Sequence, residues 1–278
     1  PEQARTLFNT AIDFAQRYPC RLVFMCPQEQ SEDGVPMQAK LFSQCYIGPD
    51  QRAMCACEAL VLAYAPSDVR FLEDQVSVWL ENDLPTYYWF HRVPADLIES
   101  HYMSFLHGCR KIIYDSSIEG VCFSNVHWHR SNMVADLTRS RLLPIRRTLG
   151  QFLSRFSPEE LVQGLQQVSV RVSPWRRGEG ESLLAWQINA LQQCGARLEG
   201  EGALNSACVE AVPTDGSPTI AIDWLYKDSA HYLNWQFFEA QTRAVLKTNL
   251  GNGPVEQTIH LQPMSAEESL AESIFFSS

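Results

Sequence analysis

The chain has 278 residues, 45% of them hydrophobic and 19% charged, so it is long and apolar enough to bury one large core or two smaller ones and does not have the composition of a disordered segment. Its 22 Lys and Arg stand against 32 Asp and Glu, a formal charge of −10 with no basic block along the chain, which argues against nucleic acid as a partner because a basic stripe is needed to displace phosphate counterions. No apolar run approaches the roughly 20 residues that cross a bilayer, nothing visible has the form of a signal peptide, and nine scattered cysteines in mostly apolar settings fit reduced thiols in a cytoplasm.

Ala4 to Arg17 places Leu7, Ala11, Ile12, Phe14 and Ala15 close to helical spacing before Pro19 stops the run, which predicts a helix. Arg21 to Cys26 is a compact apolar strand ended by Pro27, followed by a polar loop over Gln28 to Gly34. Met37 to Ile47, a turn at Gly48-Pro49-Asp50, and Ala53 to Tyr64 read as paired strands. Pro66-Ser67-Asp68 opens a helix capped by Ser67 or Asp68, with Phe71, Leu72, Val76, Val78, Trp79 and Leu80 on its buried side and an end at Asn82-Asp83. Leu84 to Phe90 is an aromatic strand, about Pro94 to His107 a helix, and Lys111 to Tyr114 a strand. That order and length imply a right-handed crossover joining a parallel pair.

Asn132 to Arg155 reads as one long helix with arginines at 139, 141, 146, 147 and 155, and Pro144 as its kink or break. After Ser157-Pro158-Glu159-Glu160 the pattern changes. Val168 to Val172 alternates as a strand, and Glu181 to Gln193 is a helix with Leu183, Leu184, Trp186, Ile188 and Leu191 inward. The remainder is strand-like with turns at Asp215-Gly216 and Gly251-Asn252-Gly253. The predicted fold is α/β: an N-terminal domain over 1–157 with a mixed, partly parallel sheet and flanking helices, and a smaller C-terminal α+β domain over 158–278.

Motifs for catalysis are missing. Gly-x-Gly occurs at Gly178, Gly200 and Gly251, but none follows a strand and opens a helix with a third glycine correctly placed, and there is no phosphate loop. No cofactor is expected. His127-Trp128-His129 and Cys55-Ala56-Cys57 could each aim two ligands one way, yet no third or fourth ligand has recognisable spacing, and no metal is expected. Asp115-Ser116-Ser117 stands at the carboxyl end of a strand, where open α/β sheets place ligand crevices. A serine nucleophile would need a strained elbow, which is absent; the plain alternative is that these side chains bond loop or helix amides. The aromatic run Tyr87-Tyr88-Trp89-Phe90 suits either a buried strand or, beside His91 and Arg92, a contact patch.

Several segments, in order, resemble the glucose-6-phosphate dehydrogenase assembly (OpcA) family. Asp83-Leu84-Pro85-Thr86-Tyr87-Tyr88-Trp89-Phe90 is similar to its aspartate-leucine-proline aromatic strand, and Ile112-Ile113-Tyr114-Asp115-Ser116-Ser117 to the strand that follows. Asp136-Leu137, Arg141-Leu142 and Arg146 match positions along its next helix. Tyr18-Pro19-Cys20-Arg21-Leu22-Val23, Cys57-Glu58-Ala59-Leu60-Val61-Leu62 and Leu183-Leu184-Ala185-Trp186 resemble further family segments, while Arg139 and Ile145 stand where the family usually carries tryptophans. The resemblance implies a cytoplasmic, non-catalytic activator. It would bind glucose-6-phosphate dehydrogenase and favour its active oligomer, supporting the oxidative pentose phosphate pathway and NADPH supply.

Trp89, Phe90, Asp115, Arg141 and Arg146 are the candidate residues for partner contact or interface support. A second reading is a sugar-phosphate-binding protein or weak enzyme, with Asp115, Ser116 and Ser117 at the strand end and Arg141 or Arg146 clamping phosphate. A third, a thiol redox sensor, lacks a Cys-x-x-Cys pair.

Overall fold

The computed structural model describes residues 2–28, 37–47, 54–65, 68, 69, 71, 72, 76, 84–118, 123, 126–130, 133–198, 203–212 and 214–276. Most of the expected 28–34 loop, the turn at 48–50, the Ser67 cap, helix positions Val78, Trp79 and Leu80, and the helix end at Asn82-Asp83 lie outside these residues. Two compact units divide the chain: residues 1–114, 120–135 and 266–278, and residues 115–119 and 136–265. The expected boundary near 157 thus falls inside the second unit. Leu142, Ile145, Leu149 and Phe152 share one apolar core with Val168, Ile222, Trp235 and Leu246, so the helices before residue 157 are part of that core.

In the first unit, the opening helix Glu2–Arg17 (α1) ends before Pro19 and buries Ala11, Phe14 and Ala15. Strand Arg21–Pro27 (β1) runs parallel to Met54–Tyr64 (β3), which pairs antiparallel with Met37–Ile47 (β2), giving the order β1-β3-β2. Strand Tyr87–Trp89 (β4) is parallel to Lys111–Tyr114 (β5), as the crossover required, and Val134–Asp136 (β6) completes the order β4-β5-β6. The crossover is not one uniform helix. A short α-helix, Ala95–Leu97 (α2), continues as a π turn over Ile98–Tyr102 and a 3-10 turn over Met103–Leu106. Gly108, at φ +78°, then reverses the chain toward β5, a left-handed conformation that glycine adopts without a Cβ penalty.

Residues 134–136 form strand β6, contrary to the long-helix expectation, whose first position, Asn132, lies outside the described residues; helices Leu137–Arg141 (α3) and Leu143–Leu153 (α4) follow, broken at Leu142. Pro144 sits in the first turn of α4, where its missing N–H costs nothing. Pro158–Val162 (α5) starts on a reciprocal capping box between Ser157 and Glu160.

The second unit is built on six strands: Leu165–Val172 (β7), Asn205–Glu210 (β8), Ile220–Tyr226 (β9), Tyr232–Phe238 (β10), Arg243–Asn249 (β11) and Val255–His260 (β12). Their order is β12-β11-β10-β9-β7-β8, and only the β7-β8 pair is parallel. Helix Arg177–Gln193 (α6) makes that crossover, with Leu183 fully buried and Gln187 Oε1 accepting from Trp224 Nε1 at 2.8 Å. Alternation along β10 turns Leu233, Trp235 and Phe237 inward. A final helix, Ala266–Phe275 (α7), which the strand-like reading of the C-terminal stretch did not anticipate, belongs to the first unit. Its Phe275 ring lies 6.2 Å from that of Phe14 on α1, and Lys111 Nζ on β5 donates to the Ser273 carbonyl at 3.1 Å. Among the described residues no helix is long and apolar enough to cross a membrane.

Candidate functional site

Two aspartates at strand ends organise the densest polar cluster. Asp136 ends β6 in extended conformation and caps α3, its Oδ1 accepting from the Thr138 amide at 3.0 Å. The same carboxylate takes the Ser116 amide at 3.1 Å and the Ser116 hydroxyl at 2.7 Å. Asp115 follows β5 and is 9% exposed. Its Oδ1 accepts from the Ser117 amide at 3.1 Å, the Ser117 hydroxyl at 2.6 Å and the Thr138 hydroxyl at 2.9 Å. The loop-amide bonding foreseen for this strand end is therefore present.

Arg141, one turn along α3 from Thr138, closes on Asp115 with both terminal nitrogens: Nη1 to Oδ2 at 2.8 Å and Nη2 to Oδ1 at 3.0 Å. Such a bidentate pair is strong and fixes orientation as well as charge. Arg141 also donates from Nε to Glu179 at 3.1 Å and from Nη2 to Ser117 Oγ at 2.8 Å. Glu179 is 7% exposed and shares its other oxygen with Arg176, which forks onto Glu239 at 2.6 and 2.7 Å. The result is an alternating ladder, Asp115, Arg141, Glu179, Arg176, Glu239, inside the second unit. Burial by itself would raise the Asp115 carboxyl, but the hydrogen bonds and charge of Arg141, with Ser117 and Thr138, outweigh it and hold the group at about 2. Arg141 is pushed the other way: burial works against its charge, and Asp115 and Glu179 more than restore it.

Gly178 and Gly180 lie in the first turn of α6 beside this ladder. A Cβ on Gly178 would overlap the Ser117 Cα, and one on Gly180 would stand 2.7 Å from Cys208 Sγ and 2.8 Å from Val172 Cγ1. The Gly-x-Gly here is thus a close-packing device that lets the Asp115–Ser117 loop and β7–β8 approach the helix.

Chemically, the ladder holds and does not react. The Ser117 hydroxyl gives its proton to Asp115, no histidine joins the network, and a carboxylate held this low is a poor base at neutral pH. Of the two arginines offered as a phosphate clamp, Arg141 has its donors aimed at Asp115, Glu179 and Ser117, whereas Arg146 keeps a buried Nε with no hydrogen-bond partner among the described residues.

The structure brings Asp115 and Arg141 into direct contact, and each of the other candidates makes contacts of its own. Arg146, on α4, lies over the Trp186 ring at 5.7 Å and donates weakly to the Arg139 carbonyl at 3.4 Å. Phe90 is 7% exposed and packs in the first unit's core near Tyr102 and Trp128. Trp89 is half-buried, edge-on to His91, with no hydrogen-bond partner for its indole nitrogen among the described residues. Among those residues no group of three or more His, Cys, Asp or Glu is placed to hold a metal; His127 bonds Glu99 at 2.8 Å, and Cys57 is a buried packing residue. Sequence reading missed Glu179, Arg176 and Glu239. Glu179 is 38 residues from Arg141 along the chain, so no local spacing reveals the pair.

Comparison with known proteins adds three findings. Residues 11–127 match a family model described as the glucose-6-phosphate dehydrogenase subunit N-terminal domain, OpcA_G6PD_assem. Trp89, Phe90 and Asp115 fall inside that segment; Arg141 and Arg146 lie beyond it. A Synechocystis sp. protein provisionally named OxPP cycle protein OpcA is 25% identical over 195 residues, covering 66% of this chain and 39% of its own length. The chain therefore spans about two fifths of that relative. A solved structure of an aldose-aldose oxidoreductase from Caulobacter crescentus aligns over 76% of this chain and 72% of its own at 11% identity, with a TM-score of 0.34, too low to carry an argument.

Proposed function

With residues 11–127 a domain of the OpcA glucose-6-phosphate dehydrogenase assembly family, we propose that the chain acts in the cytoplasm as a non-catalytic activator that binds this dehydrogenase and favours its active oligomer. The domain match is the observation that carries this reading, and the name of the Synechocystis relative, an OxPP cycle protein, agrees with it. The strand-end cluster supports it indirectly, because Asp115 is held by Arg141 and accepts the Ser117 hydroxyl proton, an arrangement that does not activate the serine as a nucleophile. The physical action is population shift. A protein that binds the active conformation or oligomer of the dehydrogenase more tightly than the inactive one must raise the active fraction by its ratio of affinities.

Within this reading Asp115 and Arg141 support a surface from beneath, Phe90 anchors the aromatic strand, and Trp89 and Arg146 are the contact candidates. The test is to titrate the chain into dehydrogenase from the same organism and follow NADPH production. A saturable rise in rate, absent without the dehydrogenase, is expected; a rate independent of the added chain would refute the activator role.

A further inference from the structure

The −10 chain carries one stretch free of acidic residues and rich in arginine. Between Asp136 and Glu159 there is no Asp or Glu and there are five arginines, at 139, 141, 146, 147 and 155. Arg141 alone of these meets a carboxylate among the described residues. Ile145, Leu149 and Phe152 take the buried side of α4, while Arg139 and Arg147 are exposed and Arg146 is half-buried. Arg146 and Arg139 are drawn together with no counterion among the described residues, since Arg146 Nη1 reaches the Arg139 carbonyl and the Arg146 guanidinium lies over Trp186 at 5.7 Å. Its Nε is buried with no hydrogen-bond partner among the described residues, which leaves a donor unmet. Burial, then the charge of Arg139, weaken the hold of Arg146 on its proton, as two cations lacking an anion must.

We propose that Arg139, Arg146 and Arg147, the second of them lying over Trp186, form a docking surface for a carboxylate-rich segment of the protein partner. The proposal rests on the reading above that the partner is the dehydrogenase. Charge selects the occupant. An acidic surface is repelled by the rest of an acidic chain and can approach favourably at this stretch, which fixes orientation as well as contact. Arginine and tryptophan are the side chains that most often dominate binding at interfaces. A small-molecule anion fits less well, because such ligands take concave sites, and the cavity lined by Val162, Leu165, Ala196 and Leu204 lies elsewhere.

The experiment measures affinity of the full chain for the dehydrogenase at about 50 mM and about 300 mM salt, spanning strong and weak screening. It compares wild type, Arg139→Glu/Arg147→Glu and Arg146→Gln, with Arg130→Glu in the first unit as a charge control. Arg139 and Arg147 are exposed, so the double variant keeps its melting midpoint. The expected result is a loss of about tenfold or more at low salt for the double variant, a shallower salt dependence, and little change for Arg130→Glu. Unchanged affinity in both Arg variants overturns the docking surface and leaves the activator reading standing; no binding by wild type overturns both. Inorganic phosphate serves as a second probe. Phosphate that raises the melting midpoint of wild type but not of Arg146→Gln would assign the site to a free anion and overturn the protein partner.

Discussion

Replacing Arg141 with Met tests the buried ladder directly. The substitution keeps much of the apolar stem while removing two hydrogen bonds to Asp115, one to Glu179 and one to Ser117. It strands the Asp115 carboxylate, 9% exposed, whereas Glu179, 7% exposed, keeps Arg176 on its other oxygen. Breaking a buried pair by deleting one partner costs about 3–5 kcal/mol, because the surviving charge has lost its compensation. Titration gives an independent handle. Asp115 is held at about 2 against an ordinary 3.8, a difference equivalent to about 2 kcal/mol of stability. The folded-state value is depressed, so this contribution is complete above the unfolded value and is lost as pH falls from about 4 through 2. In Arg141→Met the Asp115 carboxyl has lost the partner that held it down, burial then raises it, and acid relieves the buried charge. Urea denaturation at pH 7 is expected to show a loss of about 3–5 kcal/mol that shrinks markedly by about pH 3. A loss below about 1 kcal/mol, or one of equal size at both pH values, would refute the reasoning.

Three further outcomes follow from the packing and the caps. Gly178→Ala should destabilise by about 1–3 kcal/mol through overlap with Ser117, whereas Gly150→Ala, whose added Cβ meets nothing within 4 Å, should be neutral or stabilising in thermal melts. Asp136→Ala should cost about 1–2 kcal/mol in denaturant titrations through loss of the α3 cap, with Asn recovering much of it because Asn caps nearly as well. Trp89→Phe should leave the melting midpoint nearly unchanged, since its indole N–H has no partner among the described residues, and should weaken the dehydrogenase complex if Trp89 lies at the contact.

The parts of the fold legible in the sequence were those with a strong period or a hard stop. Pro19 ended α1 where expected, and the aromatic strand, apolar helical run and Lys111–Tyr114 strand gave the parallel β4-β5 pair through their order alone. Three-residue strands carry no period, so Val134–Asp136 was absorbed into a neighbouring helix, although Asp136 followed two residues later by Thr138 is a usable cap signal. The C-terminal helix had a similar mark in Ser265-Ala266-Glu267-Glu268, a serine three residues before a glutamate. At the candidate site, Asp115 and its serines were legible because a strand end is a local feature. Their partner Glu179 was not, because the ladder is set by how α3 and α6 pack, over a separation that composition and spacing do not encode.

The proposed activator role requires a physical complex, which light scattering after size exclusion detects in an equimolar mixture of this chain with glucose-6-phosphate dehydrogenase from the same organism. A co-eluting species heavier than either protein alone, containing the dehydrogenase in its active oligomer, is the expected result. Two separate peaks at the masses of the free proteins, in oxidising and in reducing buffer alike, would contradict it.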